Sequence, residues 1–122
     1  MNRGQAPEPP SADCLFCRIA AAEIPADLVF EDEAVIVFRD INPKAPTHVL
    51  AIPRRHLASA ADLTDADGGV LAALFSALRR VAQEAGLSSY RILTNVGAES
   101  GQSVFHLHFH LLGGRSMTWP PG

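Results

Sequence analysis

From residue 105 to residue 111 the chain alternates without a break between apolar side chains and imidazoles: Phe105, His106, Leu107, His108, Phe109, His110, Leu111. Successive side chains of a β-strand point to opposite faces. The pattern therefore predicts a strand with Phe105, Leu107, Phe109 and Leu111 in a core and three histidines on one surface. A single histidine is most often an ordinary surface or core residue. Three in strict alternation, opposite an unbroken apolar face, call for a chemical reason. Metal binding is one, since His-x-His on a strand is a common ligand pair. Geometry limits it: residues four apart on a strand are ~13 Å apart, so one ion held at ~2.0 Å from each nitrogen cannot take all three. At least one is left for the other work of imidazole near neutral pH, as nucleophile, proton carrier or donor to an anion.

Elsewhere the periodicity is mixed. Leu15, Phe16, Ile19 and Ala20 fall on one face of a short helical turn that Pro25 stops. Apolar runs at 28–30 and 34–38, separated by Glu31-Asp32-Glu33, predict a hairpin. The segment 40–46 holds two prolines and reads as a loop, followed by a strand at 48–52 that Pro53 closes. One long helix is signalled by a Thr64 N-cap, early carboxylates at Asp65 and Asp67, and a stripe of Val70, Leu71, Leu74, Leu78, Val81, Ala82 and Ala85. Gly86 supplies its left-handed cap. Strands at 90–96 and 103–112 flank a Gly-bracketed loop at 97–102. This order, with few long crossovers, predicts an α+β domain: an antiparallel sheet with one long helix and a short N-terminal helix.

With 122 residues the chain makes one domain, spanning 14–122 after a proline-rich segment, 1–13, that reads as a mobile tail. The net charge of −3 argues against a protein that blankets nucleic-acid phosphates. It leaves room for a small phosphorylated ligand held by a few donors. No apolar run approaches the ~20 residues of a membrane span, and the first residues lack a secretory signal core. The expectation is a soluble cytoplasmic protein without membrane or nucleic-acid partners.

The approach to the histidines suits an anion. Asn95, Gly97, Gly101, Gln102 and Ser103 offer amide, backbone and hydroxyl donors, and glycine lets a backbone come close to a ligand oxygen. Cys14 and Cys17 form a Cys-x-x-Cys pair. A redox role is disfavoured, because only a proline-rich tail precedes it and Asp13 opposes thiolate formation. The pair is either a zinc half-site awaiting two histidines or two reduced, partly buried thiols.

The run Gly101-Gln102-Ser103-Val104-Phe105-His106-Leu107-His108-Phe109-His110-Leu111-Leu112-Gly113-Gly114-Arg115 resembles the signature of the histidine triad (HIT) family. The ending Trp119-Pro120-Pro121-Gly122 is similar to that of its nucleotide-binding (HINT) branch. Similarity also takes in Glu23-Ile24-Pro25-Ala26, Asp40-Ile41-Asn42-Pro43, Ala45-Pro46-Thr47-His48 and Ile52-Pro53-Arg54-Arg55-His56.

The resemblance implies a homodimer that binds purine nucleoside monophosphates and hydrolyses phosphoramidates, with no cofactor required for catalysis. It makes His108 the nucleophile at phosphorus and His110 a donor to a non-bridging oxygen. Ser103, Gly101, Gln102 and Asn95 would complete the phosphate cradle, and His48 would support the triad. Asp40 would accept from ribose hydroxyls; Phe16, Ile19, Phe38 and Ile41 would line the base and ribose pocket. Relatives that carry the two cysteines complete a structural zinc site with the histidines matching His56 and His106. A nucleotide-binding regulator with incidental turnover, and a dinucleoside polyphosphate hydrolase or nucleotidyl transferase, are the alternative readings.

Overall fold

A computed structural model describes residues 13–122; nearly all of the expected mobile tail lies outside the described residues. A short helix, α1 (Leu15–Ala20), precedes strands β1 (Leu28–Glu31), β2 (Val35–Arg39) and β3 (Thr47–Pro53). Two 3-10 turns, Ala60–Asp62 and Asp65–Asp67, lead into the long helix α2 (Gly68–Glu84). Strand β4 (Tyr90–Leu93), a third 3-10 turn at Ala98–Ser100 and strand β5 (Phe109–Gly113) complete the chain. The five strands form one sheet in the order β1-β2-β3-β5-β4, and every neighbouring pair is antiparallel. This is the α+β architecture that the periodicity predicts.

Alternation along each strand divides the sheet into two faces. Val35, Val37, Val49, Ala51, Phe109 and Leu111 meet Leu74, Leu78, Val81 and Ala82 of α2 in the larger core. On the other face Ile36, Phe38, Leu50 and Ile52 pack with Phe16 of α1. The predicted stripe holds in its centre. Ala85 is exposed and caps the helix instead of packing. Thr64 caps the turn at Asp65–Asp67, and its backbone N–H donates to Asp67 Oδ2 at 2.8 Å in a capping box. Asp67 also takes a hydrogen bond from Arg55, which ties the segment carrying His56 to the start of α2.

Two strands are shorter than the sequence pattern predicts. Strand β4 stops at Leu93, not at residue 96. Strand β5 begins at Phe109, six residues after the predicted start at 103. In its register Ala51 pairs with Phe109, so continuation would bring the chain opposite Ile52 and Pro53. Proline has no N–H to give to a ladder, and the preceding residues find other partners. Leu107 N–H donates to Leu57 O at 2.6 Å. Phe105, expected in the core, is 52% exposed as a result.

After β5 the chain turns at Gly114, whose φ is +90°, and an added Cβ would lie 2.9 Å from Pro46 Cβ. Both the left-handed backbone and the rigid proline ring oppose a side chain there. Gly114→Ala should therefore destabilise the fold by about 2 kcal/mol, read as a lower urea midpoint at unchanged m-value.

Candidate active site

The chemistry sits on the α1 face of the sheet, at one end of an apolar cavity of about 380 Å3. Phe16, Ile19, Phe38 and Leu50 line its walls, with Asp40 and Ile41 at its side. His108, His110, Ser103 and Val104 line it too. Eight of the residues singled out from sequence for the site thus meet here: Phe16, Ile19, Phe38, Asp40, Ile41, Ser103, His108 and His110. Ile41 stands fully exposed at the mouth.

Hydrogen bonds settle which ring nitrogens carry protons. The Lys44 backbone N–H donates to His48 Nδ1 at 3.0 Å. A neutral His48 therefore holds its proton on Nε2, which faces His110 Nδ1 at 2.9 Å. That contact in turn places the proton of His110 on Nε2. This atom is buried and has no hydrogen-bond partner among the described residues. The neighbouring ring is set the opposite way. His108 Nδ1–H donates to the carbonyl of His106 at 2.7 Å, which leaves the lone pair on His108 Nε2. The two rings lie 5.2 Å apart, centre to centre, and Phe16 packs against His108 in a T-shaped contact at 5.1 Å. A nucleophilic lone pair and an unpartnered N–H are thus neighbours at the cavity end.

Burial disfavours charge on this relay. Desolvation pushes His110 down to about 4, helped by charge on His108 and His48 and opposed by Asp40. His48 is lowered as well, chiefly by burial, with Asp40 opposing and Lys44 assisting. An unfolded histidine binds a proton near pH 6.5. The stability that neutral His110 contributes is complete above that pH and is lost as pH falls towards about 4. The urea midpoint should be lower at pH 5 than at pH 7.5, and His110→Asn should flatten part of that slope.

The third histidine of the alternation goes elsewhere. His106 is fully buried, and its Nε2–H donates to Pro53 O at 2.8 Å. Its bare Nδ1 lies 3.2 Å from His56 Nδ1, 3.4 Å from Cys14 Sγ and 3.5 Å from Cys17 Sγ. Cys17 Sγ lies 3.3 Å from His56 Nδ1. A tetrahedral zinc ion with ordinary bond lengths has N–N edges of ~3.3 Å and S–N edges of ~3.6 Å, so the four atoms fit zinc. The carbonyl holding His106 is the kind of outer partner that orients a ligating imidazole. Asp40, His48 and His110 also approach one another closely enough to share an ion. There the Lys44 N–H keeps the proton on His48 Nε2, the atom a metal would need, which favours a hydrogen-bonded relay over an ion at this trio.

Three expected members of the cradle stand outside the cavity. Asn95 lies beside Gly101, where an added Cβ would come 3.7 Å from its Nδ2. Gly101 has φ +99° and ends the turn at Ala98–Ser100. The buried Gln102 side chain accepts from Gly97 N–H at 2.9 Å and donates to Ala58 O at 2.8 Å and Val104 O at 3.2 Å. Its amide braces the loop. Sequence reasoning also passed over Thr94, whose hydroxyl donates to His108 O at 2.7 Å where the β4–β5 ladder has ended. A threonine just past a predicted strand carries no signal of that bond.

The antiparallel α+β sheet thus places an imidazole lone pair and an imidazole N–H side by side at the end of an apolar cavity. Residues 21–117 match the HIT domain, and the chain belongs to that family. It is 44% identical over 113 residues to an uncharacterized HIT-like protein of Synechococcus elongatus, covering 92% of this chain and 99% of that one. A 14 kDa zinc-binding protein of Zea mays is 46% identical over 111 residues, covering 88% and 87%. A HIT family hydrolase from Legionella pneumophila superposes with a TM-score of 0.89 at 53% identity, covering 90% of this chain and all of that one. These likenesses are to the HIT family as a whole and do not single out its HINT branch. Among the described residues no helix is long and apolar enough to cross a membrane.

Proposed function

We propose that the protein is a HIT-family hydrolase of the HINT branch that cleaves purine nucleoside 5'-phosphoramidates through a nucleotidyl-histidine intermediate. The observation that carries this reading is the lone pair on His108 Nε2 beside the unpartnered N–H of His110 Nε2. His108 Nε2 attacks the α-phosphorus as the P–N bond breaks, and the departing amine takes a proton from solvent. His110 Nε2–H, with Ser103, stabilises the negative charge that grows on the non-bridging oxygens. Water then displaces the imidazole and releases the nucleoside monophosphate. The apolar walls hold the purine, and Asp40 accepts from the ribose hydroxyls.

Cys14, Cys17, His56 and His106 hold a structural zinc ion, outside the bond-breaking steps. It would supply a cross-link between α1, the segment after β3 and the approach to β5. The protein acts as a cytoplasmic homodimer.

Acid quench during turnover of an adenosine 5'-phosphoramidate, followed by mass spectrometry, tests the mechanism. An adenylyl adduct on the peptide containing His108 is the expected result. Turnover with no adduct there, even under rapid quench, would sink it. Nucleotide binding without any turnover would point to a regulator.

A further inference from the structure

A second cavity, of about 390 Å3, lies against the first. Leu15, Ser103 and Val104 line both, so these residues form a shared wall. Cys14 and His56 line the second cavity too, with Asp13 and Phe105 at its surface side. Leu15 is 44% exposed and Phe105 52% exposed. Two large apolar side chains held open around a concavity, beside a carboxylate, suit a ligand with both apolar and cationic parts.

We propose that this cavity receives the leaving amine and selects amines with an apolar body and a second, positively charged group. The inference rests on the phosphoramidate reading above. In an in-line displacement the attacking and leaving atoms lie on opposite sides of phosphorus. With the nucleoside in the first cavity the leaving nitrogen would point away from His108. Ser103 and Val104, which line both cavities, are the wall it would have to cross to enter the second. Methylenes of the amine would lie on Leu15, Val104 and Phe105, and a terminal ammonium would reach the Asp13 carboxylate. When the P–N bond breaks, its electron pair stays with nitrogen, which takes a proton from solvent and leaves through this cavity.

Three adenosine 5'-phosphoramidates test it: those of methylamine, of hexylamine, and of 1,6-diaminohexane joined through one nitrogen. The reacting alkylamine nitrogen is similar in all three, so differences report the body and the distal charge. The expected order of kcat/KM is aminohexyl over hexyl over methyl, with about tenfold between hexyl and methyl, the worth of roughly two buried methylenes. Phe105→Ala should bring the hexyl-to-methyl ratio close to one. Asp13→Asn should remove the advantage of aminohexyl over hexyl while keeping that of hexyl over methyl. Equal kcat/KM for all three in the unaltered protein, or ratios that neither variant changes, would overturn the subsite while leaving the phosphoramidate reading intact. Failure to turn over any of the three would overturn both.

Discussion

His108→Ala is expected to lower kcat for an adenosine phosphoramidate by at least about three orders of magnitude while shifting AMP affinity only a few-fold. The nucleophile's task begins when phosphorus is within reach, whereas the purine would be held by walls that the substitution leaves in place: Phe16, Ile19, Phe38 and Leu50. His110→Ala should be a milder loss, on the order of 10²-fold, because it removes one charge-stabilising donor and leaves the attacking lone pair. It should also differ in kind, since the adenylyl adduct would still form, only slowly. Stopped-assay kinetics and equilibrium dialysis with AMP read these effects. If His108→Ala kept a tenth of the activity, or if the two variants ranked in reverse order, the roles given to the two rings would be wrong.

Cys17→Ala should produce the largest loss of stability of any single side-chain change in the chain. Cys17 is buried on α1 and faces both His56 and His106. These ligands sit on three segments that the sheet ladder leaves unjoined, and a bound ion is worth far more to folding than one packed side chain. A fall in Tm of about 10 °C or more is expected, together with loss of one equivalent of zinc by elemental analysis. A strong chelator added to the unaltered protein should lower Tm by a similar amount and leave the variant's Tm where it was. An unaltered protein that holds no metal and ignores the chelator would refute the assignment.

Much of the fold was legible because it depends on local periodicity. The 3.6-residue stripe through Leu74, Leu78, Val81 and Ala82 marks α2, and it packs as the spacing requires. The separation of histidines from apolar residues was also legible: Leu107, Phe109 and Leu111 enter the α2 core while His108 and His110 face the cavity. The extent of the last strand was not, since it is cut by Pro53 on a different strand more than fifty residues away. Phe105 came out on the surface for the same reason. Gln102 shows a second kind of opacity. A glutamine beside a Gly-rich turn looks like a ligand donor, and only the approach of Ala58 and Val104 reveals that its amide is a brace. The Cys-x-x-Cys pair shows how far spacing reaches: it marks two ligand-grade sulfurs, and the fold alone brings the Nδ1 atoms of His56 and His106 to them.

The relay from Lys44 through His48 to His110 starts at a main-chain amide. Its polarity is accordingly set by the main chain at position 44, with the Lys44 charge only helping to keep His48 neutral. Glutamate, serine or alanine there would all present the same N–H, and proline alone would remove it. Lys44→Pro should free His48 Nδ1 and leave the Asp40 carboxylate, 3.4 Å from His48 Nε2, as the group that still orders the pair, so that the cavity would meet a phosphate oxygen with hydrogen less consistently.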